Sequence, residues 1–258
     1  AIVLGLNWLV ILLYADAFIS PSGTGITYTA TTSRMLYGME KNKYLPSVFG
    51  KLHPLYGIPR QAMILNLGVS FLFLFMFRGW GVLAEVISVA TLVSYITGPV
   101  TVMTLRRTGK NLYRPLRLKG LSIIAPLGFV FASLVLYWAR WPLTGQVLFI
   151  IMAGLPVYFY YQSKIKWKGF RQNFSAGLWM VVYLLCMMTI SYLGSEKFGG
   201  LNIIPFGWDM VIITCLSLGF YSWAIKSGFQ TEYLEQGQKV NEDLRSMEND
   251  VSAQTDKK

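Results

Sequence analysis

The residues with the clearest chemical character lie in a polar segment near the start of the chain, directly after an apolar run. Residues 15–34 read ADAFISPSGTGITYTATTSR and contain eight Ser or Thr residues and one carboxylate, Asp16. Hydroxyl and carboxylate oxygens are ligands that hard cations prefer, and a carboxylate inside a membrane can also carry a proton. This composition therefore indicates a site for a cation, a proton or a protonated amine.

The polar residues of this segment fall on two faces when they are placed on a helix of 3.6 residues per turn. The first, which we call the polar face, carries Asp16, Ser20, Gly23, Thr24, Thr27, Thr31 and Arg34. The second, the small-residue face, lies nearly opposite and carries Ser22, Gly25, Thr29 and Ser33. Small residues at this spacing let helix backbones approach closely. The pattern predicts a central helix of a bundle rather than a lipid-facing one.

Pro21 adds a backbone oxygen to this segment, because proline has no N–H group and leaves the carbonyl of Ala17 without its helical donor. Irregular backbone at membrane depth is tolerated only where it lines protein or a cavity. We therefore predict that one wall of an ion, proton or substrate site is formed by neighbouring residues of this helix: Asp16, Ser20, Pro21, Ser22, Gly23, Thr24 and Thr27.

Asp16 and Pro21 also have plain structural interpretations. A carboxylate near the bilayer centre costs about 3 kcal/mol on insertion scales, so such a residue normally faces an interior or a wet cavity. The alternative for Asp16 is a position near the outer interface or a structural pair, and the alternative for Pro21 is a simple kink. Both alternatives stay open at the level of sequence.

The polar segment belongs to a chain with long apolar runs, which predict membrane-spanning helices. Only 14% of the 258 residues are charged, whereas a soluble domain carries about 25%. Runs such as 61–77 and 178–190 approach the ~20 residues that cross a hydrocarbon core as a helix. The chain is therefore predicted to be an all-α polytopic membrane protein, which excludes a soluble enzyme.

Residues that commonly carry catalysis or bind metals do not form a recognisable constellation. Cys186 and Cys215 lie inside apolar runs without metal-ligand spacing, so we interpret them as small apolar packing residues. His53 lies in a basic loop, where a solvated side chain is expected. The sequence shows no nucleophile–base pattern and no phosphate-binding glycine loop, so we predict no enzymatic activity, no cofactor and no metal site.

Seven apolar spans can be placed along the chain, and together they assign 1–226 to the membrane. Their approximate bounds are 7–40, 61–78, 82–105, 120–139, 143–162, 174–193 and 207–226. The third span is interrupted by Gly98 and Pro99, which suggests a flexible or kinked helix in a moving bundle. Residues 227–258 have low apolar content and are expected to form a polar tail.

The seven spans assign each connecting loop to one side of the membrane, and Lys and Arg residues are divided very unequally between the two sides. Twenty of the twenty-three fall on one side, and only Arg78, Arg140 and Lys197 fall on the other. Because cytoplasmic loops carry an excess of basic residues, the first span should run inward and the C-terminus should be cytoplasmic. The same split accounts for the net charge of +11 without nucleic-acid binding. We expect a multi-pass protein of the cell (inner) membrane.

Residues 32–59, TSRMLYGMEKNKYLPSVFGKLHPLYGIP, resemble the loop after the eighth helix of the amino acid–polyamine–organocation (APC) permeases. The shared elements are Ser33-Arg34, Asn42, Leu45-Pro46, His53 and Gly57-Ile58-Pro59. The turn around Asn42 reads Lys-Asn-Lys where many members have a glycine. The stretch ISPSGTGITYTA is similar to the aspartate–proton symporter branch of bacteria.

This resemblance implies the C-terminal part of a five-plus-five inverted-repeat (LeuT-like) transporter fold with extra C-terminal helices. The first span would be helix eight, one wall of the central site. The region of Ser20, Pro21 and Ser22 would match the part that binds sodium in sodium-coupled relatives, whereas proton-coupled relatives place a lysine of helix five there. The implied activity is amino acid transport by alternating access through proton-coupled symport, and sodium is the alternative coupling ion.

A second hypothesis is a non-transporting membrane scaffold or accessory subunit. The chain begins with Ala inside an apolar run, so we expect a truncated sequence rather than a self-standing seven-helix protein. The implied partners of the transporter are an amino acid substrate, the coupling proton or sodium, the lipid bilayer and the missing N-terminal helices.

Overall fold

The computed structural model describes residues 7–42, 44–110, 112, 118–164, 166–167, 169–230 and 234. Within these ranges every regular element is a helix, which confirms the predicted all-α class. The α-helices of the described chain follow in the order α1 (Asn7–Lys41), α2 (Arg60–Met76), α3 (Trp80–Thr108), α4 (Leu121–Trp138), α5 (Leu143–Met152), α6 (Leu155–Lys164), α7 (Phe170–Leu193) and α8 (Trp208–Ser227).

Six helical segments of the described chain are long and apolar enough to cross a membrane, which indicates a multi-pass membrane protein. The helices α5 and α6 together form one of these segments, Leu143–Lys164. Helix α2 is shorter, with 17 residues, which is about 26 Å of helix against a hydrocarbon core of ~30 Å. Seven crossings therefore remain a prediction, and most of the predicted tail 227–258 lies outside the described residues.

The predicted span 143–162 is divided in two by a turn that the sequence interpretation missed. Helix α5 ends at Met152 and α6 begins at Leu155, with Ala153 and Gly154 between them. Pro156 accounts for the division, because proline cannot continue the backbone hydrogen bonds of α5 but fits the first turn of a new helix.

The chain divides into two compact units. Unit 1 contains Ala1–Leu83 and Pro156–Lys168, and unit 2 contains Ala84–Leu155 and Gly169–Lys258. In unit 1, α1 packs against α2 and against the short 3-10 helix Ser47–Gly50. This packing fixes the loop that leads from α1 into α2.

His53 organises the last part of that loop in unit 1. Its Nδ1 atom accepts the backbone N–H groups of Leu55 at 3.3 Å and Tyr56 at 3.4 Å. The imidazole also stacks on the Tyr56 ring, with 5.1 Å between ring centroids. The backbone N–H of His53 donates to the carbonyl of Ile58 at 2.9 Å. These bonds close the turn that precedes α2.

In unit 2, both α4 and α7 pack against α8 around an aromatic core. The buried ring of Phe129 lies 5.5 Å from Tyr183 and 5.7 Å from Tyr221, measured between ring centroids. Edge-on and tilted rings at this separation attract each other in addition to filling space. The hydroxyl of Tyr183 donates to Ser133 at 2.7 Å, so the polar end of this ring is also satisfied. The core therefore fixes three helices to one another.

Gly199 lies at a close approach between the α7–α8 loop and the loop that joins α4 to α5. Its φ angle is +79°, and a Cβ atom there would lie 2.3 Å from the backbone oxygen of Trp141. We expect Gly199→Ala to lower the free energy of unfolding by about 2 kcal/mol, since both the backbone angle and the contact disfavour a side chain.

Thermal unfolding of the purified protein in detergent measures this effect. Gly219→Ala is the matched control, because a Cβ atom at that helical position meets nothing within 4 Å and alanine favours the helix. Equal melting temperatures for the Gly199 variant and the control would contradict the prediction.

Candidate functional site

Helix α1 runs without interruption through Pro21. The hydroxyl groups around the proline donate to carbonyls one turn earlier, from Ser22 to Phe18 at 2.6 Å and from Thr24 to Ser20 at 2.9 Å. The same bond is made by the hydroxyls of Thr27, Thr29 and Ser33. Each bond uses the hydroxyl hydrogen and leaves oxygen lone pairs free to accept from a donor or to coordinate a cation. The helix therefore presents acceptors rather than donors.

The polar face of α1 is an open wall in the described chain. Five of the seven predicted site residues share this face, and all are exposed: Asp16, Ser20, Gly23, Thr24 and Thr27. Among the described residues, the side chains of Asp16 and Ser20 have no hydrogen-bond or ion-pair partner. The carboxylate of Asp16 is thus available to a proton, a cation or a group outside this chain.

Ser22 points away from the polar face and belongs to the small-residue face. It lines a cavity of about 490 Å³ inside unit 1, together with Thr29 and Ser33 of α1 and with Ile58 and Met63 of the loop and α2. Ser33 is only 1% exposed at the closely packed end of this face. The hydroxyl of Ser22 is therefore separated from those of the polar face, as its helical position predicted, although the predicted site wall included it beside Ser20 and Thr24.

Bulky apolar side chains of α1 are exposed as well. Phe18 is 76% exposed and Ile26 is 73% exposed, and no residue in the most apolar stretch of this helix is buried. A bilayer can cover these apolar side chains, but covering Asp16 with lipid costs about 3 kcal/mol. The polar face therefore needs protein or water against it, and the described residues do not supply that covering.

Asp16 of α1 does not lie in a cluster of the usual metal-binding side chains within the described chain. In the part of the chain that the structure describes, no group of three or more His, Cys, Asp or Glu side chains could hold a metal ion. Cys186 and Cys215 are both free thiols. The polar face of α1 offers hydroxyl and carbonyl oxygens beside a single carboxylate. Such groups suit the binding of a proton or of a weakly held cation.

The sequence profile of the family described as amino acid permease matches residues 1–162. The chain belongs to this amino acid permease family. The match covers α1 to α5 and most of α6, and it confirms the resemblance drawn from the loop after the first span.

Three curated relatives of this permease chain come from Bacillus subtilis (strain 168). The glutamate/serine transporter AimA is 76% identical over 253 residues, which are 98% of this chain and 47% of that protein. The aspartate-proton symporter is 35% identical over 232 residues, 88% of this chain and 44% of that protein. The branched-chain amino acid permease BcaP is 22% identical over 160 residues, 62% of this chain and 34% of that protein.

The permease chain spans about half the length of the two more similar relatives. These relatives are transporters and not enzymes, in agreement with the prediction from the sequence. No solved structure matches the chain.

Unit 2 of the permease contains a buried polar cluster that the sequence interpretation missed. Asp209, near the start of α8, is fully buried and its Oδ2 atom accepts the hydroxyl of Tyr137 at 2.6 Å. Its Oδ1 atom accepts the backbone N–H groups of Gly207 at 2.9 Å and Met210 at 2.8 Å. The hydroxyl oxygen of Tyr137 in turn accepts the backbone N–H of Ser195 at 3.2 Å. The cluster joins the end of α4 to the loop between α7 and α8.

One sequence signal could have found this cluster. Asp209 is the only carboxylate in the apolar span 207–226, and it follows Trp208 at the start of that span. A carboxylate in the first turn of a helix is favoured by the helix dipole and by the free N–H groups there. Its partner Tyr137 lies in a different span, so the pair itself was not visible.

Proposed function

We propose that this chain forms the C-terminal part of a secondary active transporter that moves amino acids across the cell membrane by proton-coupled symport. The observation that carries the proposal is 76% identity across 98% of the chain to a protein named as a glutamate/serine transporter. The name of a second relative, aspartate-proton symporter, supports the proton as coupling ion. Acidic amino acids and serine are therefore the proposed substrates.

The polar face of α1 is proposed to line the central site during alternating access. Asp16 binds and releases the coupling proton, and the hydroxyl oxygens of Ser20, Thr24 and Thr27 accept hydrogen bonds from the substrate ammonium group or from water. Gly23 leaves room for close approach, and Pro21 leaves the carbonyl of Ala17 without an amide donor. The opposite wall is assigned to helices outside this chain, as inverted-repeat transporters bind substrate between their repeats.

The charge of Asp16 suggests how proton and substrate are coupled. An ionised carboxylate repels an acidic amino acid, and this repulsion is large in a site of low dielectric constant. A proton on Asp16 removes the repulsion, so proton and substrate enter together. Release of the proton on the other side restores the repulsion and favours release of the substrate.

The proposed orientation places the C-terminus in the cytoplasm. Twenty of the twenty-three Lys and Arg residues then lie on the cytoplasmic side, as the excess of basic residues in such loops requires. A scaffold or accessory role is not favoured, because the relatives carry the names of transporters.

Uptake by the reconstituted intact permease tests this function. Liposomes with an inward proton gradient should accumulate labelled glutamate, aspartate or serine above the outside concentration, and a protonophore should abolish accumulation. Uptake that persists with a protonophore but requires a sodium gradient would replace the proton by sodium. Absence of accumulation for every amino acid under both gradients would refute transport.

A further inference from the structure

Helix α3 has a weak point about two-thirds of the way along its length. Pro99 lies inside this helix and leaves the carbonyl of Tyr95 without its usual amide donor. Gly98, directly before it, adds backbone freedom and meets nothing where a side chain would lie. Bends in helices concentrate at such positions. The shorter segment after Pro99, residues 100–108, can therefore move relative to the longer part of α3 before it. We call this segment the second, or hinged, half of α3.

The end of α8 holds that second half of α3 by a charged contact. The Arg107 guanidinium donates from one nitrogen to the carbonyl of Lys226 at 3.1 Å and also to the carbonyl of Gly228. The last carbonyls of a helix lack internal donors and carry partial negative charge. Arg107 therefore donates to carbonyls that would otherwise lack a donor at the C-terminal end of α8. Arg107 and Lys226 are 119 positions apart in the chain.

Gly228 makes a second, steric contact with the same half of α3. A Cβ atom at this position would lie 2.2 Å from Cγ2 and 3.4 Å from Cβ of Thr104, so a side chain at 228 would force Thr104 or the end of α8 to shift. The hydroxyl of Ser227 meanwhile donates to the carbonyl of Ala176 in α7 at 3.2 Å. The end of α8 is thus bonded to α7 on one side and to α3 on the other.

A cavity beside this contact provides space for movement. It measures about 370 Å³ and lies within unit 2, where Thr97, Thr101, Thr104 and Thr108 of α3 face Trp179 of α7. The Oγ1 atom of Thr104 is buried and has no hydrogen-bond partner. A buried hydroxyl without a partner is unfavourable, so this arrangement of α3 is stabilised from elsewhere, and Arg107 supplies that stabilisation.

We propose that the contact of Arg107 and Thr104 with residues 226–228 is a releasable latch on the hinged half of α3. When the latch opens, this half-helix bends at Gly98 and Pro99 into the adjacent cavity. When it closes, the half-helix is fixed to α8 and α7. The proposal rests on the proposed transport function, since opening and closing would accompany the alternating-access cycle.

A reversible disulfide tests whether the latch must open. Thr104→Cys with Gly228→Cys places two Cβ atoms at a separation close to that of a natural disulfide, about 3.5–4.5 Å, and the same change removes the methyl group that would collide. The pair is introduced into the intact permease with Cys186→Ala and Cys215→Ala. Oxidation should reduce proton-driven uptake to the level of empty liposomes, and reduction should restore it.

The Thr104→Cys single variant, oxidised in the same way, should keep its uptake, because it leaves Gly228 unchanged and cannot form the cross-link. Complete cross-linking with unchanged uptake would overturn the proposal, because the contact would then be permanent. Failure of the pair to cross-link would overturn it as well. If the reduced protein and the parent protein without the introduced pair both lack uptake, the proposed transport function fails instead. The latch is then tested by a second measurement that does not depend on transport.

Hydrogen exchange in detergent supplies that second measurement without any need for transport. Arg107→Gln should speed amide exchange in residues 100–108 of α3. Arg106→Gln is the matched control, since it removes the same charge from a side chain that donates to the carbonyl of Leu118 instead. Equal exchange in residues 100–108 for both variants would refute a latch at Arg107.

Discussion

Asp16→Asn is expected to remove most proton-driven amino acid uptake by the intact permease without lowering its amount in the membrane. Asparagine has the size of aspartate but cannot take up and release a proton, so proton and substrate are no longer coupled. Without a carboxylate that can carry the proton, we expect roughly 10–100-fold slower uptake, which corresponds to about 1.4–2.7 kcal/mol in the barrier. The initial rate of glutamate uptake into liposomes measures the effect.

The fold should tolerate this change, because Asp16 is exposed and makes no hydrogen bond within the described chain. Glu196→Gln is the matched control, since Glu196 is also an exposed carboxylate but lies in the loop between α7 and α8. Ser20→Ala should give a smaller loss, roughly 3–10-fold, as expected for a neutral hydrogen bond. Full uptake by the Asp16 variant would remove Asp16 from the site.

Asp209→Ala is expected to cause a large loss of stability in unit 2. The change leaves three donors without an acceptor: the buried Tyr137 hydroxyl and the part-buried backbone N–H groups of Gly207 and Met210. A buried donor without a partner costs about 1–3 kcal/mol, so the free energy of unfolding should fall by about 3 kcal/mol or more. Thermal unfolding in detergent measures this loss.

Two variants separate the parts of this cluster. Tyr137→Phe removes only the link to α4 and the acceptor for Ser195, so its loss should be smaller, about 1–2 kcal/mol. Glu196 is an exposed carboxylate of the same loop. Glu196→Ala should therefore change the free energy of unfolding by less than about 0.5 kcal/mol. If the Asp209 variant unfolds at the temperature of the Glu196 variant, the cluster does not hold the loop.

The membrane class, the approximate helix positions and the polar face of α1 could be predicted from the sequence. Each depends on local spacing: apolar runs of sufficient length, and polar residues at intervals of three or four between Asp16 and Thr27. The sequence therefore determined which residues α1 could offer to a site. It also determined the family, through the loop elements Ser33-Arg34 and Gly57-Ile58-Pro59.

Local spacing could not reveal contacts between residues far apart in the chain. Tyr137 and Asp209 are separated by 72 positions, and Arg107 and Gly228 by 121. Whether such groups meet depends on how whole helices pack, and neither periodicity nor composition encodes that packing. Only the tertiary structure decided that Ser22 turns toward α2, that a buried carboxylate holds the α7–α8 loop, and that the end of α8 holds the hinged half of α3.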